Sequence, residues 1–269
     1  MENKIGYIIL GIIVCIFTFS VMTLNNNLNE STVATSLTVL SNKKIGWGIK
    51  RAENHKQPDL GSSNLKLLQE YDGIAMGNEK DKYVYLTFDN GYEAGYTNQI
   101  LDTLKANDVK AAFFITGHYL NSQEELVKRM IDEGHIVGNH TVNHYSMPDI
   151  DDEKIKNEIM NLHTSLYEKF GYEMKYIRPP KGEFSQRTLS LSKSLGYTTV
   201  MWSFAYDDWD ENKQGREEYA KEKILSNVHN GAVILLHANS KDNSNILDNI
   251  IEEIKNMGYE FKSLDEFKR

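Results

Sequence analysis

From Tyr83 to the C-terminus the chain alternates between short apolar runs and longer segments whose apolar residues recur at helical spacing. Strands are predicted over 83–88, 111–115, 136–137, 176–177, 198–202, 232–236 and 260–262. Helices are predicted between them over 97–106, 123–133, 150–170, 186–195, 216–228 and 246–257. Strand–helix repetition of this kind demands a parallel sheet with right-handed crossovers, because parallel neighbours cannot be joined by a tight turn. About seven such units, with polar residues just after several strands, point to a barrel-like closure with its site at the strand C-terminal ends. An open doubly wound sheet is the alternative. No glycine-rich nucleotide loop follows any strand, which counts against it.

The N-terminal third reads differently. Ile5 to Leu24 is twenty residues without a charge, long enough to span a bilayer core, with Lys4 before it and an Asn-rich run after it. Residues 1–24 are therefore expected to anchor the protein in the membrane, with the rest of the chain exported. A cleaved signal peptide is the alternative, and only the weak Val33-Ala34-Thr35 resembles a cleavage site. Residues 25–44 are expected to be a polar linker and 45–80 a loop-rich extension anchored by Trp47, leaving 81–269 as the main domain. The net charge of −8 argues against a nucleic-acid partner. The single cysteine, Cys15, excludes an intrachain disulfide and a cysteine-rich zinc site. Any metal must be held by His, Asp and neighbouring oxygen or nitrogen groups.

Four fragments at predicted strand ends carry chemistry: Thr87-Phe88-Asp89-Asn90-Gly91, His140-Thr141-Val142-Asn143-His144, Arg178-Pro179-Pro180-Lys181-Gly182 and Leu235-Leu236-His237. Asp89 offers a carboxylate base, although Asp-Asn-Gly also suits a plain turn. His140 and His144 are four apart, so a helical turn would put both imidazoles on one face to grip zinc; two hydrogen-bonded structural histidines would look the same. Arg178, before two rigid prolines, either keeps a carboxylate ionised or decorates a turn. His237 is either an acid at a pocket rim or a satisfied core histidine. Together they form a set for metal-assisted hydrolysis of an amide or ester.

In this order the fragments resemble the motifs of the polysaccharide deacetylases, carbohydrate esterase family 4, over roughly residues 80–265. The resemblance implies a distorted (β/α)7 barrel and a divalent metal, zinc by expectation, held by His140, His144 and Asn90. It implies Asp89 as general base held by Arg178, His237 as general acid, and Leu235 lining the acetyl-methyl pocket. Asp207-Asp208-Trp209 resembles the fourth motif, adding Asp208 and Trp209 to the expected substrate-binding set. Three departures stand out. Asn90 replaces the usual second Asp, Ala205 replaces the first Asp of the fourth motif so that Asp207 or Asp208 must partner the acidic His, and Lys181 replaces an aromatic residue. An ammonium at Lys181 suits a carboxylate such as the lactyl group of muramic acid, unless it points to solvent. With Trp47-Gly48 and the segment near His55, these departures look like the subfamily that deacetylates N-acetylmuramic acid in peptide-stripped glycan, a step to muramic δ-lactam in spore cortex. A chitooligosaccharide or N-acetylglucosamine deacetylase and an idle cell-wall glycan-binding module are the competing functions. The module would tolerate loss of Asp89 or His237, and both are present.

Overall fold

The computed structural model describes residues 39–268. The expected anchor, and the linker up to residue 38, lie outside the described residues. Among the described residues no helix is long and apolar enough to cross a membrane. Nine strands occur among them: β1 (Ile45–Gly46), β2 (Tyr83–Asn90), β3 (Ala112–Ile115), β4 (Ile136–Asn139), β5 (Tyr176–Ile177), β6 (Glu183–Phe184), β7 (Thr198–Thr199), β8 (Ala232–His237) and β9 (Glu260–Phe261).

Seven of them form one sheet in the order β7-β5-β4-β3-β2-β8, with β9 beside the start of β2. Every ladder in it is parallel. The expected closure is only partly realised. The sheet curls into a half-barrel, and β7 and β8 do not pair. Residues 200–206 cross the interval through single bridges, Ile74 to Val200 and Phe204 to Ile234. Two-residue strands such as β5 and β7 expose too few backbone groups to extend a ladder around a full circle.

The period-2 alternation of β2 sorts its side chains. Val84, Leu86 and Phe88 face the helical layer and pack with Ile100, Leu101 and Leu104 of the helix Thr97–Ala106. Tyr85, by contrast, belongs to the inner cluster with Ala112, Phe114, Ile136, Val200 and Val233. Thr87 and Asp89 continue that inner row. On β8, Val233, Leu235 and His237 share the inner face in the same way, and Ile234 and Leu236 join the outer core. Register does the rest: Asp89 pairs with Phe114 on one side and with His237 on the other, so the expected base and acid start from adjacent ladder positions.

Two helices are additional to those expected. Ser62–Glu70 lies in the supposedly loop-rich extension and Gly117–Ser122 follows β3 directly, capped by the Thr116 hydroxyl. The extension also adds to the sheet, since Ile74 N–H donates to Thr199 O (2.8 Å) and Met201 N–H to Ile74 O (2.7 Å). β1 pairs antiparallel with β6, and the Trp47 indole donates to Trp202 O at 2.8 Å, tying this segment to the cavity wall. Within the expected linker, Asn42 hydrogen-bonds Pro148 O and Ser185, and Lys44 forms an ion pair with Asp149.

Candidate active site

A cavity of about 960 Å³ opens at the C-terminal ends of the strands. Its wall brings together Asp89, His140, His144, Lys181, Leu235, Trp209 and His237, all seven expected from sequence. Ala205 also lines it, at the place where the resemblance implies a carboxylate.

Asp89 is buried beside a wholly buried Arg178. The guanidinium donates from Nη1 to Asp89 Oδ1 (2.7 Å), from Nη2 to Thr87 Oγ1 (2.9 Å) and from Nε to Val200 O (3.1 Å). It also stacks over Phe114, 4.2 Å from the ring centroid. Thr87 is itself fixed by donating to Ile234 O at 2.7 Å. Burial alone would raise the Asp89 pKa, but the Arg178 charge and hydrogen bond, with the nearby His140 and His237 rings, together hold the carboxyl below its ordinary value. A carboxylate gripped through one oxygen keeps the other, Oδ2, free, 3.5 Å from His140 Nε2.

The two imidazoles converge without a helix. Thr141 (φ 66°) and His144 (φ 57°) both sit in the left-handed region, so the chain doubles back and the Nε2 atoms meet at 3.1 Å. This loop has its own scaffold. The buried Glu158 carboxylate accepts from Asn143 N (2.7 Å) and Asn143 Nδ2 (2.6 Å), and Thr141 Oγ1 accepts from His144 N (3.1 Å). His140 Nδ1 lies 2.8 Å from Arg178 O, and a carbonyl can only accept, so Nδ1 carries the proton and Nε2 keeps its lone pair. Burial, and for His144 also its neighbour His140, keeps both rings neutral, with His144 pushed down to about 4.

These features suit a divalent ion. Bonds of about 2.0–2.1 Å at a tetrahedral angle separate two nitrogens by about 3.4 Å, close to the spacing present. Among the described residues no cluster of three or more His, Cys, Asp or Glu stands in metal-holding array. Asn90, the expected third ligand, is buried off the cavity wall, next along β2 and so turned from Asp89. The expected third ligand is therefore not brought to the histidine pair, which leaves His140 and His144 as the cavity residues that could hold an ion.

On the neighbouring strand β8, His237 Nδ1 pairs with Asp208 Oδ1 at 2.8 Å. Asp208 Oδ2 accepts from His237 N (2.7 Å) and Asn243 Nδ2 (2.6 Å), which locks the carboxylate behind the ring. Burial pulls the His237 pKa down, and the Asp208 charge and hydrogen bond more than offset it, leaving the ring easier to protonate than usual. Asp207 faces elsewhere, bound to Lys213 (2.9 Å) and Arg216 (3.6 Å). Asp208 is therefore the partner.

Sequence reasoning did not pick out Tyr92, Trp202, Tyr206, His118 or Asn239, which also line the cavity. Tyr92 carried the clearest available signal, standing directly after Gly91 at a motif end. Trp209 and Tyr92 are exposed at the rim, 59% and 39%, and offer flat apolar faces to a sugar ring. Asn239 bridges them, donating to the Tyr92 hydroxyl (2.7 Å) and Trp209 O (3.3 Å).

Residues 76–200 match the polysaccharide deacetylase family. The chain is similar to the peptidoglycan-N-acetylmuramic acid deacetylase PdaA of Bacillus subtilis, 44% identical over 226 residues that make up 84% of this chain and 86% of that protein. A peptidoglycan-N-acetylglucosamine deacetylase of Bacillus cereus is 34% identical over 192 residues, 70% of this chain and 89% of its own. The solved structure of the Bacillus subtilis protein, a family 4 carbohydrate esterase, superposes with a TM-score of 0.83 over 85% of this chain and 98% of that one. A family 4 carbohydrate esterase from Bacillus anthracis, 42% identical, superposes at 0.72 over 86% and 98%. With a base, an acid and a histidine pair converging on one cavity at the positions its sequence motifs mark, and with relatives this similar over most of its length, the chain belongs to the polysaccharide deacetylase family of carbohydrate esterases.

Proposed function

We propose that this protein removes N-acetyl groups from peptidoglycan amino sugars, with N-acetylmuramic acid as the preferred sugar. One observation carries the reading: two dyads, Asp89–Arg178 and Asp208–His237, meet at a single cavity that two neutral imidazoles also line. The similarity to the Bacillus subtilis N-acetylmuramic acid deacetylase supports the choice of sugar.

A divalent ion, zinc by preference, would be held by His140 and His144, the Asn90 amide being turned off the cavity wall, and would polarise the acetyl carbonyl and acidify water. The protein's own residues do the proton work. Asp89, kept ionised by Arg178, accepts the proton of the attacking water through its free Oδ2. His237, whose Nδ1–H is committed to Asp208, presents Nε2 to the cavity and delivers the proton that the leaving amine requires. Leu235, buried on the same strand face as His237, supplies an apolar surface for the acetyl methyl group. Trp209 and Tyr92 stack against neighbouring sugars. The products are acetate and a free amine at C2, which lies next to the lactyl carboxyl of muramic acid and can close a δ-lactam with it, the acyl C–O bond breaking with loss of water.

Peptidoglycan lies outside the cytoplasmic membrane, and the apolar segment 5–24 suits a tether that keeps the enzyme there. The test is incubation with peptide-stripped peptidoglycan, with and without zinc, followed by mass spectrometry of the released sugars. Loss of one acetyl mass from muramic acid is expected, and Asp89→Asn should reduce the rate about 100- to 10,000-fold. No acetyl loss from either sugar, or an undiminished rate in the variant, would refute the proposal.

A further inference from the structure

Lys181 is held where a lysine is costly. Its backbone is left-handed (φ 60°, ψ 9°), a region that glycine or asparagine enters more cheaply, and strain of this kind concentrates at functional sites. The strain is imposed from both sides. Arg178 O is bound by His140 Nδ1, Gly182 N–H donates to Pro179 O (3.1 Å), and Trp47 N–H donates to Gly182 O (2.9 Å). The peptide that carries Lys181 is therefore tied to the same histidine that converges on the reacting centre.

The side chain lines the cavity and is exposed to it, and it belongs to no ion pair or hydrogen bond found among the described residues. The other formally charged side chain on the wall, Asp89, is already paired with Arg178. Among the described residues, Lys181 is thus the formally charged side chain on this wall that has no ion-pair partner. An ammonium is a poor platform for a sugar face and a good partner for an anion.

We propose that Lys181 is a specificity-determining residue that binds the free lactyl carboxylate on C3 of the sugar undergoing deacetylation at C2. This rests on the deacetylase reading above and narrows it. N-acetylglucosamine carries a hydroxyl at C3, and a muramic residue with its stem peptide attached carries a neutral amide at the lactyl carbonyl. Only the peptide-free muramic residue places a negative charge beside the reacting amide. A charge-assisted contact discriminates by about 10- to 100-fold.

The test compares kcat/KM on three glycans: peptide-free muramyl glycan, the same glycan with its lactyl carboxyl converted to the methylamide, and N-acetylglucosamine oligomers. The full-length enzyme should prefer the first over the second by about 10- to 100-fold. Lys181→Met should bring that ratio close to one, and Lys181→Arg should retain most of it. Lys181→Asn should also lose the preference without a fall in Tm, because asparagine tolerates the left-handed backbone. An enzyme that acts on none of the glycans refutes the deacetylase reading itself. Activity on peptide-free muramyl glycan with a ratio that Lys181→Met and Lys181→Asn leave unchanged refutes only the role of Lys181, as does a loss of preference that merely tracks a loss of Tm in both variants.

Discussion

Replacing Asp208 by Asn tests the acid half of the site. The carboxylate meets His237 twice, through Nδ1 at 2.8 Å and through the backbone N–H at 2.7 Å, and it also accepts from Asn243. An asparagine offers one acceptor oxygen to three donors and turns its own NH2 toward one of them. Two effects follow. Removing the charge from a hydrogen bond worth about 1.5–3 kcal/mol lowers the protonated fraction of His237, a factor of about 10–100 in kcat/KM near neutral pH. Stranding a buried donor lowers stability by about 1–3 kcal/mol. The two separate by assay. The alkaline limb of the pH–kcat/KM profile should move to lower pH, because His237 is raised above 6.5 by Asp208 and falls once the charge is gone. The unfolding midpoint should fall independently of substrate. If the variant keeps both its alkaline limb and its kcat/KM, His237 is not the acid and the leaving amine takes its proton from elsewhere.

Arg178→Met leaves the buried Asp89 carboxylate without its partner and should destabilise the protein by about 3–5 kcal/mol in urea titration; the double variant Asp89→Leu/Arg178→Met should recover most of that loss while remaining inactive. Glu158→Gln should keep the fold, because the amide oxygen still accepts from Asn143, but should weaken zinc binding by about tenfold in calorimetry through loosening of the loop that aims His144; unchanged zinc affinity would show that the loop holds itself. Stability should fall as pH drops from 6.5 toward 4. Burial depresses His135 to about 4 and acts likewise on His144, so the neutral rings favour folding, an effect complete above the unfolded pKa and lost on acidification. Each contributes a slope of about 1.4 kcal/mol per pH unit over that interval, and a flat urea midpoint from pH 6.5 to 4.5 would contradict it.

Much of the sheet was legible because crossover helices repeat a period that sequence preserves. The helix Thr97–Ala106 and strand Tyr176–Ile177 have the bounds expected of them. The missed helix Gly117–Ser122 is six residues long, under two turns, which is too short for periodicity to register. Ser62–Glu70 has its leucines at 65, 67 and 68, a spacing that reads as irregular. At the site, residue identity was legible and direction was not. Asp207 and Asp208 are identical neighbours, and only the path of the loop turns one to His237 and the other to Lys213. Asn90 stands beside the base in sequence, yet strand alternation turns it off the cavity wall. The His140–His144 spacing suggested a helical turn, whereas the rings converge through left-handed backbone fixed by Glu158, fifteen residues beyond Asn143.

The interval between β7 and β8 also bears on how readily this site can be redesigned. A residue inserted into a ladder strand slips its register and turns every following side chain to the opposite face. Residues 200–206 carry Trp202, Ala205 and Tyr206 to the cavity but meet the sheet through isolated bridges. Substitutions at the half-buried Trp202 and Ala205 therefore shift no ladder and leave Asp89 on β2 and Arg178 just after β5, whereas Ser203 and Phe204 are buried and hydrogen-bonded to β8. Trp202 and Ala205 are where new glycan preferences can be engineered with least disturbance to the scaffold.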